Sequence, residues 1–334
     1  MATSLEPYIR KATRAQDTTK IFNSIPGEML PMLSLARTNR ILVYNGCFNP
    51  PHQGHLALLS QAFHNCGEDL NVVAAVVIMA SDRYIKYKLK HEHPHGGRKP
   101  LVLPLARRIR LWDAELEAKG ISWCFAYPED RWAGASTALR RDLKRDGFEV
   151  DFVRVAGGDK IGRHFHTHGT WNCRTMITSD ICRPVDFYED SAPENLVGHG
   201  PWKAVDVDDE ALRERAWMKA IYSTPSGTDD LDAMDEDQKA TFLADVIENA
   251  YVQSVAAAKK RKLWACEVHE YTSSPRGYAA RFIASEDHLD PDISSEKIRG
   301  IIAKSSPDRL EAELQGIALS PALLAQFILE QGTG

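Results

Sequence analysis

The stretch Gly46-Cys47-Phe48-Asn49-Pro50-Pro51-His52-Gln53-Gly54-His55 carries the densest chemistry in the chain. His52 and His55 are three apart, so at the start of a helix both imidazoles lie on one side of the first turn. Gly46 and Gly54 let the backbone approach a ligand closely. Unpaired amides at a helix start, together with the helix dipole, favour an anion there. Two donors aimed at one point suit a triphosphate better than a single histidine does. The bland alternative is a turn with two surface histidines. Context decides against it, because the string follows the apolar run Ile41-Leu42-Val43-Tyr44 and precedes Gly54 to Phe63, whose Leu56, Leu59, Ala62 and Phe63 fall at helical spacing.

A second string, Ile293-Ser294-Ser295-Glu296-Lys297-Ile298-Arg299, also opens a helix. Serines at a helix start cap it and can donate to a phosphate. Lys297 and Arg299 add positive charge there.

These strings need elements to hold them. Ile41–Tyr44 and Val72–Ile78 read as strands buried on both faces, followed by strands at Ile121–Ala126, Val150–Ala156 and Met176–Cys182. Helices are expected at Gly54–Phe63, Pro104–Lys119 and Ser136–Asp146, with a polar loop over Ser81–Lys99. Strand and helix alternate at intervals suiting βαβ units, so the fold class is α/β, a Rossmann-like doubly wound and mostly parallel sheet. In such a sheet ligands bind outside the carboxyl ends of the strands. The expected organisation is an N-terminal helical extension over 1–39 with its helix at Glu6–Ile21, a core over 40–184, and a mostly helical insertion over 185–262. The chain returns to the core over 263–334, with strands at Leu263–Glu267 and Ala279–Ala284 and closing helices.

The first string resembles the signature of the nucleotidyltransferase superfamily with a His-x-Gly-His motif, the cytidylyltransferase-like proteins that share a fold with class I aminoacyl-tRNA synthetases. The second resembles the Ile-Ser-Ser-Thr-x-Ile-Arg signature of the same superfamily, with Glu296 where the threonine stands. Within it the chain is most similar to nicotinamide/nicotinate mononucleotide adenylyltransferases. Ala80 to Lys88 resembles their post-strand segment ending in lysine, and Arg107-Arg108-Ile109-Arg110-Leu111 their arginine-bearing helix. Ile121-Ser122-Trp123, with Trp132 and Thr137, resembles their aromatic segment, and Gly157-Gly158-Asp159-Lys160 their Gly-Ala-Asp loop.

The resemblance implies AMP transfer from ATP, with Mg2+, to a small phosphorylated acceptor, a pyridine mononucleotide, in NAD biosynthesis. His52, His55 and Arg299 are then the catalytic set. Gly46, Phe48, Asn49, Gly54, Gly158, Asp159, Ser294, Ser295 and Lys297 bind the nucleotide, and Lys86, Trp123 and Arg110 the acceptor. Two departures stand out: Glu296 puts a carboxylate near the phosphates, and Ser122 and Cys124 flank Trp123 where acidic residues are usual.

Composition narrows the alternatives. At net charge -5 over 334 residues the chain is not a strongly basic nucleic-acid binder overall. Its basic runs are local, at Arg140 to Arg145 and Lys259 to Lys262. They keep a tRNA-dependent enzyme on the same scaffold, of the cyclodipeptide synthase type, as a second reading. A catalytically silent nucleotide sensor is a third. No apolar run reaches the roughly 18 residues that span a bilayer, and none lies near Met1, so a cytoplasmic or nuclear protein with no membrane partner is expected. Six scattered cysteines without a Cys-x-x-Cys pair read as reduced thiols. The histidine tracts at 91–95 and 164–168 read as exposed loops in preference to a metal site. P-loop and Gly-x-Ser-x-Gly strings are absent from the sequence.

Overall fold

An unbroken apolar run has no solvent face, so a strand made of one must be covered on both sides. The computed structural model, which describes residues 3–16, 20–24, 30–92, 101–161, 173–189, 191–223, 235–268 and 278–332, shows this arrangement. Ile41 and Val43 of β1 (Asn39–Gly46) share one core with Ala74, Val76 and Ile78 of β2 (Val72–Met79). Leu42 and Tyr44 share the other with Ala75, Val77 and Met79. Helices α1 (Glu6–Thr13) and α5 (Glu129–Arg145) close the first core through Ile9, Trp132, Leu139 and Leu143. Helices α2 (Gln53–Asn65) and α4 (Leu105–Ala118) close the second through Leu56, Leu59, Ala62, Trp112 and Leu116.

The remaining strands of the sheet are β3 (Cys124–Pro128), β4 (Val150–Val155), β5 (Thr175–Ser179), β6 (Lys203–Ala204), β7 (Lys262–Val268) and β8 (Tyr278–Ala284). Their order is β6-β7-β8-β5-β4-β1-β2-β3. Every neighbouring pair from β8 to β3 is parallel, while β6–β7 and β7–β8 are antiparallel. The chain runs outward from β1 through β2 to β3, then returns to lay β4 on the other side of β1. That reversal is the topological switch point where an open α/β sheet forms its ligand crevice.

Four local readings change. The expected loop after β2 is a helix, α3 (Asp82–Glu92). Its buried residues, Ile85 and Leu89, are four apart and sit among exposed Arg83, Lys86, Lys88 and Lys90, so the charge hides an amphipathic pattern. Helix α1 stops well short of Ile21, because Arg14 turns left-handed (φ 56°) and its N–H closes the last turn on the carbonyls of Arg10 and Lys11. β3 begins later than Ile121, and α5 begins at Glu129, ahead of the expected Ser136.

Between β5 and β7 the chain first makes a short hairpin, Tyr188–Glu189 with Ala192–Pro193, and the edge strand β6. Only then does it form α6 (Asp209–Ser223) and α7 (Glu236–Lys260), which pack on each other. The C-terminal helices α8 (Ser295–Lys304), α9 (Leu310–Leu314) and α10 (Pro321–Gly332) build their own core from Ile298, Leu310, Leu324 and Phe327 around Leu111 of α4. Among the described residues no helix is long and apolar enough to cross a membrane.

Candidate active site

The turn leaving β1 is held from several sides. Phe48 has φ 47°, a left-handed conformation that a bulky residue adopts only when its surroundings impose it. Its ring meets Tyr44, His55 and Trp112 edge-on at centroid distances of 5.2, 4.8 and 5.5 Å. Asn49 donates through Nδ2 to the Leu101 carbonyl and accepts at Oδ1 from the Leu103 N–H, both at 2.8 Å. Its side chain therefore fastens the turn to the start of α4 and is committed to the protein. Arg108, fully buried, donates to the carbonyls of Cys47 (2.8 Å), Ala80 (2.8 Å) and Leu103 (3.0 Å) and to Asp82 (2.6 Å). It ties the turn, the end of β2 and the start of α3 together.

The two sequence strings meet directly. Arg299 donates to the Asn49 carbonyl at 2.8 Å, and the Ser295 hydroxyl donates to the Pro50 carbonyl at 2.7 Å. Ser294 caps α8 by accepting from the Lys297 N–H at 3.1 Å. The C-terminal segment closes the other flank: Gln53 N–H donates to the Ile317 carbonyl at 2.8 Å, and Leu319 N–H to the Pro51 carbonyl at 3.2 Å.

His52 caps α2, and His55 lies in its first turn. Their rings stack with centroids 3.5 Å apart, and the His52 N–H donates to His55 Nδ1 at 3.2 Å. A neutral imidazole that accepts at Nδ1 carries its proton on Nε2, so His55 keeps an Nε2–H donor. Burial lowers the His52 pKa to about 4, with Arg183 adding to the effect. Burial also holds His55 well below its ordinary value, followed by the effects of His52 and Arg183. Both rings are neutral donors at pH 7. Nδ1 of His52 is buried without a hydrogen-bond partner among the described residues. Gly54 leaves room for this ring, since a Cβ there would lie 3.1 Å from His52 Nδ1.

Around the histidines is a cleft of about 650 Å3. Its described lining brings together the expected Gly46, Phe48, Asn49, His52, Gly54, His55, Gly158, Ser294, Ser295 and Arg299. It also contains Arg154 and Arg183, which the sequence reading left out, and Lys88 and Lys160, which it named only as members of the resembling segments. Arg183 braces the approach to α8 through the carbonyls of Pro291 and Ile293, and its own carbonyl comes so close to Gly158 that a Cβ there would lie 2.7 Å away. With Arg299, five cationic side chains among the described residues face two carboxylates, Glu129 and Glu296. That balance fits a polyanion. The arginines escaped notice because Arg154 sits inside a strand pattern and Arg183 in a loop of no recognisable motif.

Four expected residues are not in the cleft lining. Trp123 precedes β3 and so stands at the amino ends of the strands, opposite the cleft, with its ring stacked on Phe63 at 3.8 Å. Arg110 lies over the Phe327 ring at 5.4 Å, facing the C-terminal helices. Lys297 pairs with Asp290 at 3.2 Å. Lys86 is on the exposed side of α3, where Tyr84 and Lys88 line the cleft instead. The Asp159 side chain and the histidines at 93, 95 and 164–168 lie outside the described residues. Among the described residues no group of three His, Cys, Asp or Glu side chains is placed to hold a metal.

The arginines of the basic runs are matched by carboxylates. Arg140 pairs with Asp151 (3.0 Å), Arg141 with Asp142 (3.1 Å), Arg145 with Asp146 (2.8 Å), and Arg261 with buried Glu68 (2.6 Å).

No curated protein gives a significant match to the chain. Residues 43–106, from the middle of β1 through the histidine turn, α2, β2 and α3 to the first turn of α4, match the family described as Cytidylyltransferase-like. That match, on a doubly wound sheet with the histidine pair at its switch point, supports a nucleotidyltransferase of that superfamily.

Proposed function

We propose that the chain moves a nucleoside monophosphate, AMP in the first instance, from a nucleoside triphosphate to a small phosphate-bearing acceptor and releases pyrophosphate. The observation that carries this reading is the stacked His52–His55 pair, with its Nε2–H donor, in a cleft whose cations outnumber its carboxylates.

An oxygen of the acceptor phosphate attacks the α-phosphorus in line. The new P–O bond forms as the bond to the bridging oxygen of the β-phosphate breaks, and pyrophosphate leaves with that electron pair. A phosphate monoester is already anionic near pH 7, so the protein needs no general base. Its work is positioning and charge stabilisation. His52 and His55 donate to the triphosphate, Arg299 and Arg183 neutralise charge as pyrophosphate departs, and the first amides of α8 face the same oxygens. The donor set of the cleft suits magnesium carried in on phosphate oxygens and water, not a protein cage. When bound, the ion neutralises charge on the departing pyrophosphate.

For the acceptor we propose a pyridine mononucleotide, a choice that rests on the resemblance of Ala80 to Lys88. The aromatic ring of that segment that lines the cleft is Tyr84, while Trp123, from the separate aromatic segment, is not in the lining. The matched charges in the basic runs favour a small acceptor over tRNA. A soluble cytoplasmic setting fits this chemistry. The test is a pyrophosphate-release screen of nucleoside triphosphates against nicotinamide and nicotinate mononucleotides, other phosphate monoesters, aminoacyl-tRNA and no acceptor. Release that depends on a small phosphorylated acceptor supports the reading. Release with no acceptor, or none with any, refutes it.

A further inference from the structure

At the opposite end of the sheet from the histidines lies a second cavity of about 690 Å3. It forms between the amino end of β2, the chain leading into β3, and one face of α6. Ala211, Glu214, Arg215 and Met218 of that face follow helical spacing and all line the cavity. Nothing in the transfer chemistry uses this space.

Its lining has two properties that define a ligand. The first is a set of flat aromatic surfaces. Phe63 and Trp123 stack with centroids 3.8 Å apart and planes 6° apart, and His64 meets Trp123 edge-on at 5.6 Å. Trp217 lines the same cavity and is 49% exposed, unusual for a residue that is highly buried on average. The second property is charge. Among the described residues Arg37, Lys119 and Arg215 line the cavity against a single carboxylate, Glu214. Arg37 is paired with Asp208 at 2.8 Å, and Lys119 stands 3.7 Å from Glu115. Arg215 is exposed and makes no ion pair among the described residues; the nearby Glu68 is held by Arg261 through two bonds of 2.6 and 3.0 Å.

We infer that this cavity is a second ligand site, separate from the triphosphate cleft, for a planar aromatic molecule carrying an anionic group. The ring lies against the Phe63–Trp123 pair and Trp217, and the anion is received by Arg215. The volume is that of a small-molecule site, and stacked rings select flat molecules over aliphatic ones. Phe63 and His64 belong to the last turn of α2, whose first turn carries His55. A helix of 13 residues is about 20 Å long, so the two sites are far enough apart to be filled together.

The probe is 8-anilinonaphthalene-1-sulfonate, a flat aromatic anion, titrated into the full chain with and without saturating ATP and magnesium. N-phenyl-1-naphthylamine, its uncharged counterpart, is titrated in parallel. The expected result is one saturable sulfonate site that ATP does not displace. Trp217→Ala weakens both probes. Arg215→Glu weakens the sulfonate about tenfold and leaves the amine unchanged. Both substitutions are on exposed side chains, and an unaltered melting temperature confirms the fold. Displacement by ATP, wild-type affinity in either variant, or an equal loss of both probes in Arg215→Glu would overturn the inference.

Discussion

The backbone N–H of His52 donates to Nδ1 of His55 at 3.2 Å while the two rings stack at 3.5 Å. One contact thus fixes both the orientation of His55 and which of its nitrogens carries the proton. Any phosphate in the cleft meets an Nε2–H whose direction is set before binding, which is what electrostatic preorganisation requires.

His55→Ala is therefore expected to slow turnover by about 10²–10³, the loss of about 2.7–4 kcal/mol typical of one such donor. Its melting temperature should stay close to that of the wild type. His55→Gln restores a neutral N–H donor and should recover part of the rate. Near wild-type turnover in a folded His55→Ala protein would remove the phosphate-binding role.

The same burial has a pH signature. The His52 pKa drops from its ordinary 6.5 to about 4 in the folded chain. Below pH 6.5 the unfolded chain takes up a proton that the folded chain refuses, so acidification favours unfolding. This contribution is complete above pH 6.5 and falls away toward pH 4, reaching about 3 kcal/mol. Urea denaturation of wild type and His52→Asn across this range should show the difference in stability shrinking by that amount. A pH-independent difference would mean that His52 is not held neutral.

Arg108 and Arg110 separate architecture from recognition. Arg108→Ala strands the carbonyls of Cys47, Ala80 and Leu103 inside the protein, and breaking such a buried charged network costs about 3–5 kcal/mol. Lysine cannot span those acceptors, so Arg108→Lys should fail to restore stability. Arg110→Ala should change stability by less than about 1 kcal/mol, and ATP affinity should not change at all. Thermal melts and ATP titration check both. A mild Arg108→Ala phenotype would contradict the clamp.

Much of this was legible in the sequence, and the reason is local. Ile41 to Tyr44 and Val72 to Ile78 read as strands covered twice, and the His52–His55 spacing suits the first helical turn after the former. What failed was long range or concealed by charge. Asn49 lines the cleft as expected, but the side-chain bonds that fix it there, to Leu101 and Leu103, come from more than fifty residues away. Trp123 sits beside a strand, and no local pattern tells which end of the sheet such a residue faces; three residues of strand boundary decided it. Ile85 and Leu89 were concealed among lysines. Arg154 and Arg183 reach the cleft only because β4 lies beside β1 and β5 beside β4.

Glu296 lines the cleft from the first turn of α8, where the superfamily signature has threonine. In the proposed complex its carboxylate opposes the triphosphate. Glu296→Thr should tighten ATP binding roughly fivefold, about 1 kcal/mol for removal of a like charge in a wet cleft. Calorimetric titration at low salt is the measurement, and added salt should narrow the gap. An unchanged affinity would show that Glu296 does not act on the phosphates.

In nucleotidyl transfer it is the α-phosphate that stays with the acceptor. ATP labelled at the α-phosphate, and separately at the γ-phosphate, incubated with the full chain, magnesium and nicotinamide mononucleotide, tests it most directly. Transfer of a nucleotidyl group predicts α-label in a new acceptor-linked product and γ-label in pyrophosphate, both lost in His55→Ala. Gamma-label appearing in the acceptor or as free phosphate, with α-label left in ADP, would show phosphoryl transfer or hydrolysis instead and contradict the account.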